Sequence, residues 1–223
     1  MLWSRLILFL IFQALIALFL SSWEASQKHW LLTATLANLI SIIILISLFK
    51  REDRKLISLF RFNHVSFRKD LLIFIGLSLL IGPIAFFPNN LISLWLWGKA
   101  EIPFNMMFQP IGKWLSYTLL LAFPITIAFA ELATYFGYIM PRLEKQLYRK
   151  WISGLLPVFF LSIQHCTLPF IPDVKFVIYR GLVFLPLALL LGVSIRYRPT
   201  LFPYFAILHG IMDFGTAIMF ITL

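Results

Sequence analysis

Four residues of this chain combine chemical capability with an unusual setting. Glu131 lies inside IAFAELATYFGY, His165 ends LSIQH, and His209 and Asp213 share ILHGIMDFGTAI, all within strongly apolar surroundings. Carboxylates and imidazoles at one place can take a proton from water, pass it on and hydrogen-bond an oxyanion. Two histidines and a carboxylate are also a zinc-type donor set, so His165, His209 and Asp213 are the candidate metal ligands; a zinc site and a metal-free site are both open. Placing an Asp at the centre of a membrane helix costs about 2.5–3.5 kcal/mol, so such groups face a protein interior and mark a functional site. The competing reading is a helix-to-helix hydrogen bond, worth about 0.6 kcal/mol on average. Four such groups together favour chemistry.

Spacing places some of these groups. His209 and Asp213 are four apart and stack on one helix face. Gln164 and His165 form a polar step on another segment. Cys166 points about 100° away from its neighbour His165 on a helix, which argues against a Cys–His dyad and for packing. It is the one cysteine of the chain, so no internal disulfide forms.

The elements that carry these residues follow from composition. Of 223 residues 61% are hydrophobic and 13% charged, with mean hydropathy +0.92, against roughly 45–50% and about 25% in soluble domains. A soluble enzyme is excluded, and an all-α, polytopic transmembrane bundle is expected. Runs of about 20 apolar residues mark spans, and about seven fit: 2–22, 30–49, 71–87, 115–140, 151–170, 176–195 and 200–223. A cleaved leader is the alternative for the first, although its apolar run is long for one.

Nineteen Lys and Arg against nine Asp and Glu give a net charge of +10. They cluster between apolar runs, which fits a positive-inside membrane protein and not a nucleic-acid surface. With Arg5 and the basic stretches 50–69, 142–150 and 196–198 inside, fourteen of the nineteen share one side. That bias predicts an N-in, C-out topology. Residues 56–70 read as an interfacial helix or a plain basic loop, and 91–97 as a segment dipping into the outer interface. Arg180 is expected to snorkel outward or to pair with Asp173. At 1.5 Å per residue, Glu131 and His209 lie about 14–15 Å from the basic side and His165 about 21 Å from Trp151, close enough to meet if the fifth helix tilts or starts late.

These segments resemble a known family. Glu131-Leu-Ala-Thr-Tyr-Phe-Gly137, then Leu161-Ser-Ile-Gln-His165, then His209-Gly-Ile-Met-Asp213 are similar, in order, to the EExxxR, FxxxH and HxxxN/D motifs of the CPBP family. This family holds the CAAX prenyl proteases type II and the bacteriocin-processing (Abi) proteins. The likeness covers about residues 115–220, so 114–223 is expected to form a CPBP-like core of four spans, and 1–113 the preceding helices with their cytoplasmic basic loop. It implies an intramembrane endopeptidase, glutamic-type or metallo-type, in which Glu131 activates water and His165, His209 and Asp213 complete the site.

Three positions depart from the motifs: Leu132 stands for the second Glu, Phe136 for the Arg and Leu161 for the Phe. Positions 132 and 136 are one helical turn apart, so the family's Glu and Arg would pair there. Losing both charges together can be energetically neutral, whereas losing one strands the other at about 3–5 kcal/mol. The implied partners are the lipid bilayer and a peptide or membrane-protein substrate, without nucleic acid, and the implied setting is a prokaryotic plasma membrane. The alternative is a non-catalytic scaffold or bacteriocin-immunity protein of the same fold. A proton-coupled transporter would use the same residue types, but no internal repeat supports it.

Overall fold

A computed structural model describes residues 1–222, and those residues form an all-helical bundle with no strand among them. Five helical stretches are long and apolar enough to cross a membrane: Trp30–Lys50, Phe67–Trp97, Lys113–Gln146, Val174–Tyr197 and Pro199–Thr222. The other two expected crossings correspond to shorter helices, α1 (Ser4–Leu20) and α8 (Lys150–Ile163). Position 223, the expected end of the last span, lies outside the described residues.

After α1 a short α2 (Trp23–Lys28) turns the chain, with Ser22 capping it by accepting from the Ala25 N–H at 3.1 Å. Helix α3 (Trp30–Lys50) follows. The stretch 56–70 opens with one short turn packed on the bundle and not with a longer helix or an open loop. Leu56–Phe60 is a single 3-10 turn, and its rings enter the bundle: Phe60 meets Phe129 at 4.7 Å and Phe202 at 5.4 Å, while Phe62 meets Tyr204 at 4.8 Å. Both rings are half-buried, and edge-on packing of this kind favours their holding to the bundle.

Helix α4 (Phe67–Trp97) is continuous for 31 residues, about 46 Å. It therefore absorbs 91–97, which was expected as a separate interfacial dip, and carries Pro83 and Pro88 in its interior. A short α5 (Ile102–Met107) leads into α6 (Lys113–Leu132). Past Leu132 the backbone widens into a π-helical stretch, Ala133–Ile139, before α7 (Met140–Gln146). Such widenings are rare and concentrate at functional sites, and this one begins two residues after Glu131.

Helix α8 stops at Ile163 and tightens into a 3-10 turn, Gln164–Thr167, where a straight span to 170 was expected. The expected sixth span is two helices, α9 (Val174–Val183) and α10 (Leu185–Tyr197), with Pro186 in the first turn of the second. Helix α11 (Phe202–Thr222) closes the bundle beside α6.

Two apolar cores hold these helices. One joins Leu45 and Phe49 of α3 to Leu132, Phe136, Val158 and Leu191. The other joins Phe9 of α1 and Trp30 of α3 to Phe123, Phe176 and Phe220. Both draw on residues from either side of position 113. Gly192 gives the Phe136 ring its place, since a Cβ there would stand 3.0 Å from Phe136 Cε1 and 2.5 Å from Val158 Cγ2.

The basic stretches share one end of the bundle. Arg142 forks onto Glu52, with Nε to Oε1 at 2.9 Å; Arg196 pairs with Glu144 at 2.8 Å; Arg198 pairs with Asp70. Asp70 is fully buried and accepts further hydrogen bonds from Ser66 at 2.5 Å and Thr200 at 3.0 Å, which ties the start of α4 to the α10–α11 connection.

Candidate active site

Glu131, His165, His209 and Asp213 meet. Glu131, at the end of α6, is 1% exposed. Its Oε1 stands 3.0 Å from Nε2 of His209, which in turn stands 3.4 Å from Oδ2 of Asp213 on the same face of α11. Its Oε2 stands 4.0 Å from Nε2 of His165. Helix α8 starts where the span was expected to start, at Lys150, and it is the 3-10 turn at its end that brings His165 to Glu131.

Each ring has a defined orientation. His165 Nδ1 donates to the carbonyl of Leu161 at 2.9 Å, so the neutral ring turns a bare Nε2 towards Glu131. Its plane is fixed by stacking on Phe184 at 3.8 Å and 11°. His209 Nε2 faces two carboxylates, and the nitrogen between them therefore carries the hydrogen. The two imidazoles are thus not equivalent: one accepts, the other donates.

Although Glu131 Oε1 and His209 Nε2 are close, they are not aligned for a direct hydrogen bond. Both atoms, with Asp213 Oδ2, are buried side-chain polar atoms without a hydrogen-bond partner in the protein. Buried groups in that condition are costly and uncommon in folded chains. The three border a cavity of about 430 Å³ that runs from His209 along α11 to Met219 and across to Asn89 of α4. Apart from this polar end its wall is mostly apolar, with Leu161, Phe184 and Leu187 among the lining residues.

The second carboxylate oxygen is in the opposite situation. Glu131 Oε2 accepts from Gln164 Nε2 at 2.8 Å and from Arg5 Nη2 at 3.4 Å. Arg5 was counted with the topology-setting charges; instead it is fully buried and level with Glu131. Its other bonds go to Gln164 Oε1 at 2.9 Å, Asn38 Oδ1 at 2.9 Å and Ser41 Oγ at 3.4 Å, and Tyr135 donates to the same Gln164 oxygen at 3.2 Å. Sequence reasoning missed Arg5, Asn38 and Ser41. The signal was present in the pair Asn38 and Ser41, three apart inside an otherwise apolar span.

Arg180 neither snorkels nor meets Asp173. It is 4% exposed and donates to the carbonyls of His165 at 3.1 Å and Leu168 at 2.5 Å, stapling the 3-10 turn that carries His165. Asp173 instead caps α9, accepting from Phe176 N–H at 2.7 Å. Cys166 lies away from the cluster, its Sγ 3.4 Å from the carbonyl of Val177.

The candidate metal trio His165, His209 and Asp213 is not assembled. Among the described residues no group of three His, Cys, Asp or Glu is placed to hold a metal ion. The reason is geometric: His209, with Asp213 beside it, faces Oε1 of Glu131, whereas His165 faces the other carboxylate oxygen, Oε2. Compared with known proteins, the chain matches no family model, no curated protein and no solved structure.

Proposed function

We propose that this chain is a membrane-embedded endopeptidase of the CPBP type that hydrolyses peptide bonds with a water activated by Glu131. The observation that carries this reading is the convergence of Glu131 Oε1, His209 Nε2 and Asp213 Oδ2, three buried and unpartnered polar atoms, at the end of a largely apolar cavity. A water bonded to Glu131 Oε1 and to the His209 N–H gives up a proton to the carboxylate as its oxygen bonds to the peptide carbonyl carbon. The carbonyl π pair moves onto oxygen, and a donor such as the His209 N–H stabilises it. Collapse of this intermediate breaks the C–N bond, and the proton held by Glu131 passes to the leaving amine. Asp213 orients His209, and the bare Nε2 of His165 offers an acceptor beside Oε2 of Glu131.

The proposed arrangement has seven crossings, with the basic end in the cytoplasm and the carboxy-terminal end of α11 outside, in a prokaryotic plasma membrane. The substrate is a peptide or membrane-protein segment apolar enough to enter the cavity.

The test is cleavage of fluorescently labelled casein and a set of apolar peptides by the purified chain in proteoliposomes, with product termini read by mass spectrometry. Glu131→Ala and His209→Ala should each lower the rate by about 10²–10⁴. Equal cleavage by both variants and the parent would discard the mechanism in favour of a non-catalytic scaffold.

A further inference from the structure

We infer that Arg5 is the positioning residue for Glu131, and that α1 thereby supplies from outside the sequence motif the cation that position 136 lacks. This inference rests on the hydrolase reading above. In the resembling motif an Arg occupies the position of Phe136, on the same helix as the glutamate; here that position is filled by a buried ring packed on Gly192. The guanidinium beside Glu131 comes from a different helix altogether, 126 positions away in sequence.

The geometry gives Arg5 a specific task. Arg5 and Gln164 both hold Oε2, and Arg5 also holds Gln164 through Nε, so the three side chains form a closed triangle of hydrogen bonds. A carboxylate fixed through one oxygen can present only the other to the cavity. Oε1 is left without a hydrogen bond and lies against His209, the side on which the water must sit. From α3, Asn38 Oδ1 accepts from the same Nη2 that reaches Glu131 and Ser41 Oγ accepts from Nη1, and the Arg5 guanidinium lies 5.1 Å over the Phe9 ring, so the cation cannot swing away. Arg5 does not itself line the cavity and so acts through Glu131 and not on the substrate.

Helix α1 is built into the bundle at a second point as well. Gln13 donates to the carbonyl of Phe170 at 2.9 Å and accepts from its N–H at 2.7 Å, a paired contact with the chain that follows His165. The helix that carries Arg5 is thus held against the same segment that carries Gln164 and His165.

The experiment compares parent, Arg5→Lys, Arg5→Gln and Glu131→Gln as full chains in proteoliposomes, with labelled casein as the probe and rates taken per folded molecule. Arg5→Gln should lower kcat by about 10²-fold, the scale of a small misplacement of a reacting group, with KM within about twofold of the parent. Arg5→Lys, which keeps the charge but not the planar fork, should recover part of that loss. A merely structural role would reduce the yield of folded protein and leave kcat per folded molecule unchanged. If Glu131→Gln is inactive while both Arg5 variants keep the parent kcat, the positioning role is wrong and the hydrolase reading stands. If Glu131→Gln cleaves as well as the parent, both fall together.

Discussion

Two sets of charges hold this molecule, and they are built on opposite terms. At the basic end, Arg142 and Glu52 pair with side chains 21% and 36% exposed, where water and salt weaken the attraction. In the middle of the bundle, Arg5 and Glu131 pair at 0% and 2% exposure, where neither charge has water to fall back on. Asp70 and Arg198 stand between, with the carboxylate buried and the guanidinium 27% exposed. The difference teaches that the exposed pairs fasten loops, whereas the buried pair obliges its neighbours to satisfy every remaining donor and acceptor. That obligation is met on Oε2 of Glu131 and left unmet on Oε1, and the contrast within one carboxylate is what makes the site a candidate for chemistry.

Removing charges one at a time should rank these pairs by burial. Arg5→Met should destabilise most, by about 3–5 kcal/mol, because it strands a buried carboxylate. Combining it with Glu131→Gln should recover much of the loss, and unfolding in detergent measured as a double-mutant cycle checks this. Additive losses would mean that the two groups do not interact.

Next should come Arg198→Ala, at about 1–3 kcal/mol, since Ser66 and Thr200 still serve the buried Asp70. Gln164→Leu should have a cost of the same order, by removing a donor to Glu131 and the shared acceptor of Arg5 and Tyr135. The same melting assay decides both, and a Gln164→Leu variant as stable as the parent would sever the site from the bundle's stability.

The smallest effect belongs to Arg142→Ala, and it should shrink further at high salt. Its pH dependence sharpens the contrast. The hydrogen bond from Arg142 holds the Glu52 carboxyl below its ordinary value of 4.5. A carboxyl with a depressed folded value contributes stability above the unfolded value and loses it as pH falls through the folded one. The melting difference between parent and Glu52→Gln should therefore persist at neutral pH and fade on acidification below about 4.5. A difference that grew on acidification would contradict the pairing.

Much of this organisation was legible in the sequence, for identifiable reasons. The four site residues stood out because charge is costly in hydrocarbon, and helical rise alone brought Glu131 and His209 to one depth while leaving His165 deeper. The gathering of the basic stretches at one end followed from where the charges cluster. Local pattern failed where tertiary contacts override it. The rings of 56–62 carry no local signal for the partners they find, which are Phe129 and Phe202 for Phe60 and Tyr204 for Phe62. Residues 91–97 continue α4 although Pro83 and Pro88 precede them, since proline is tolerated within membrane helices. Arg180 had two plausible surface roles, and the carbonyls of His165 and Leu168 supplied a third.

By itself the sequence determined an apolar all-helical chain, a sidedness of charge and a short list of residues too polar for their surroundings, because each of these is a property of composition and period along one strand of text. It took the tertiary structure to decide which oxygen of Glu131 is bound and which is free, which imidazole donates and which accepts, and that the cation beside the carboxylate comes from the first helix. Those depend on directions between side chains on different helices, and no spacing within a single segment encodes them.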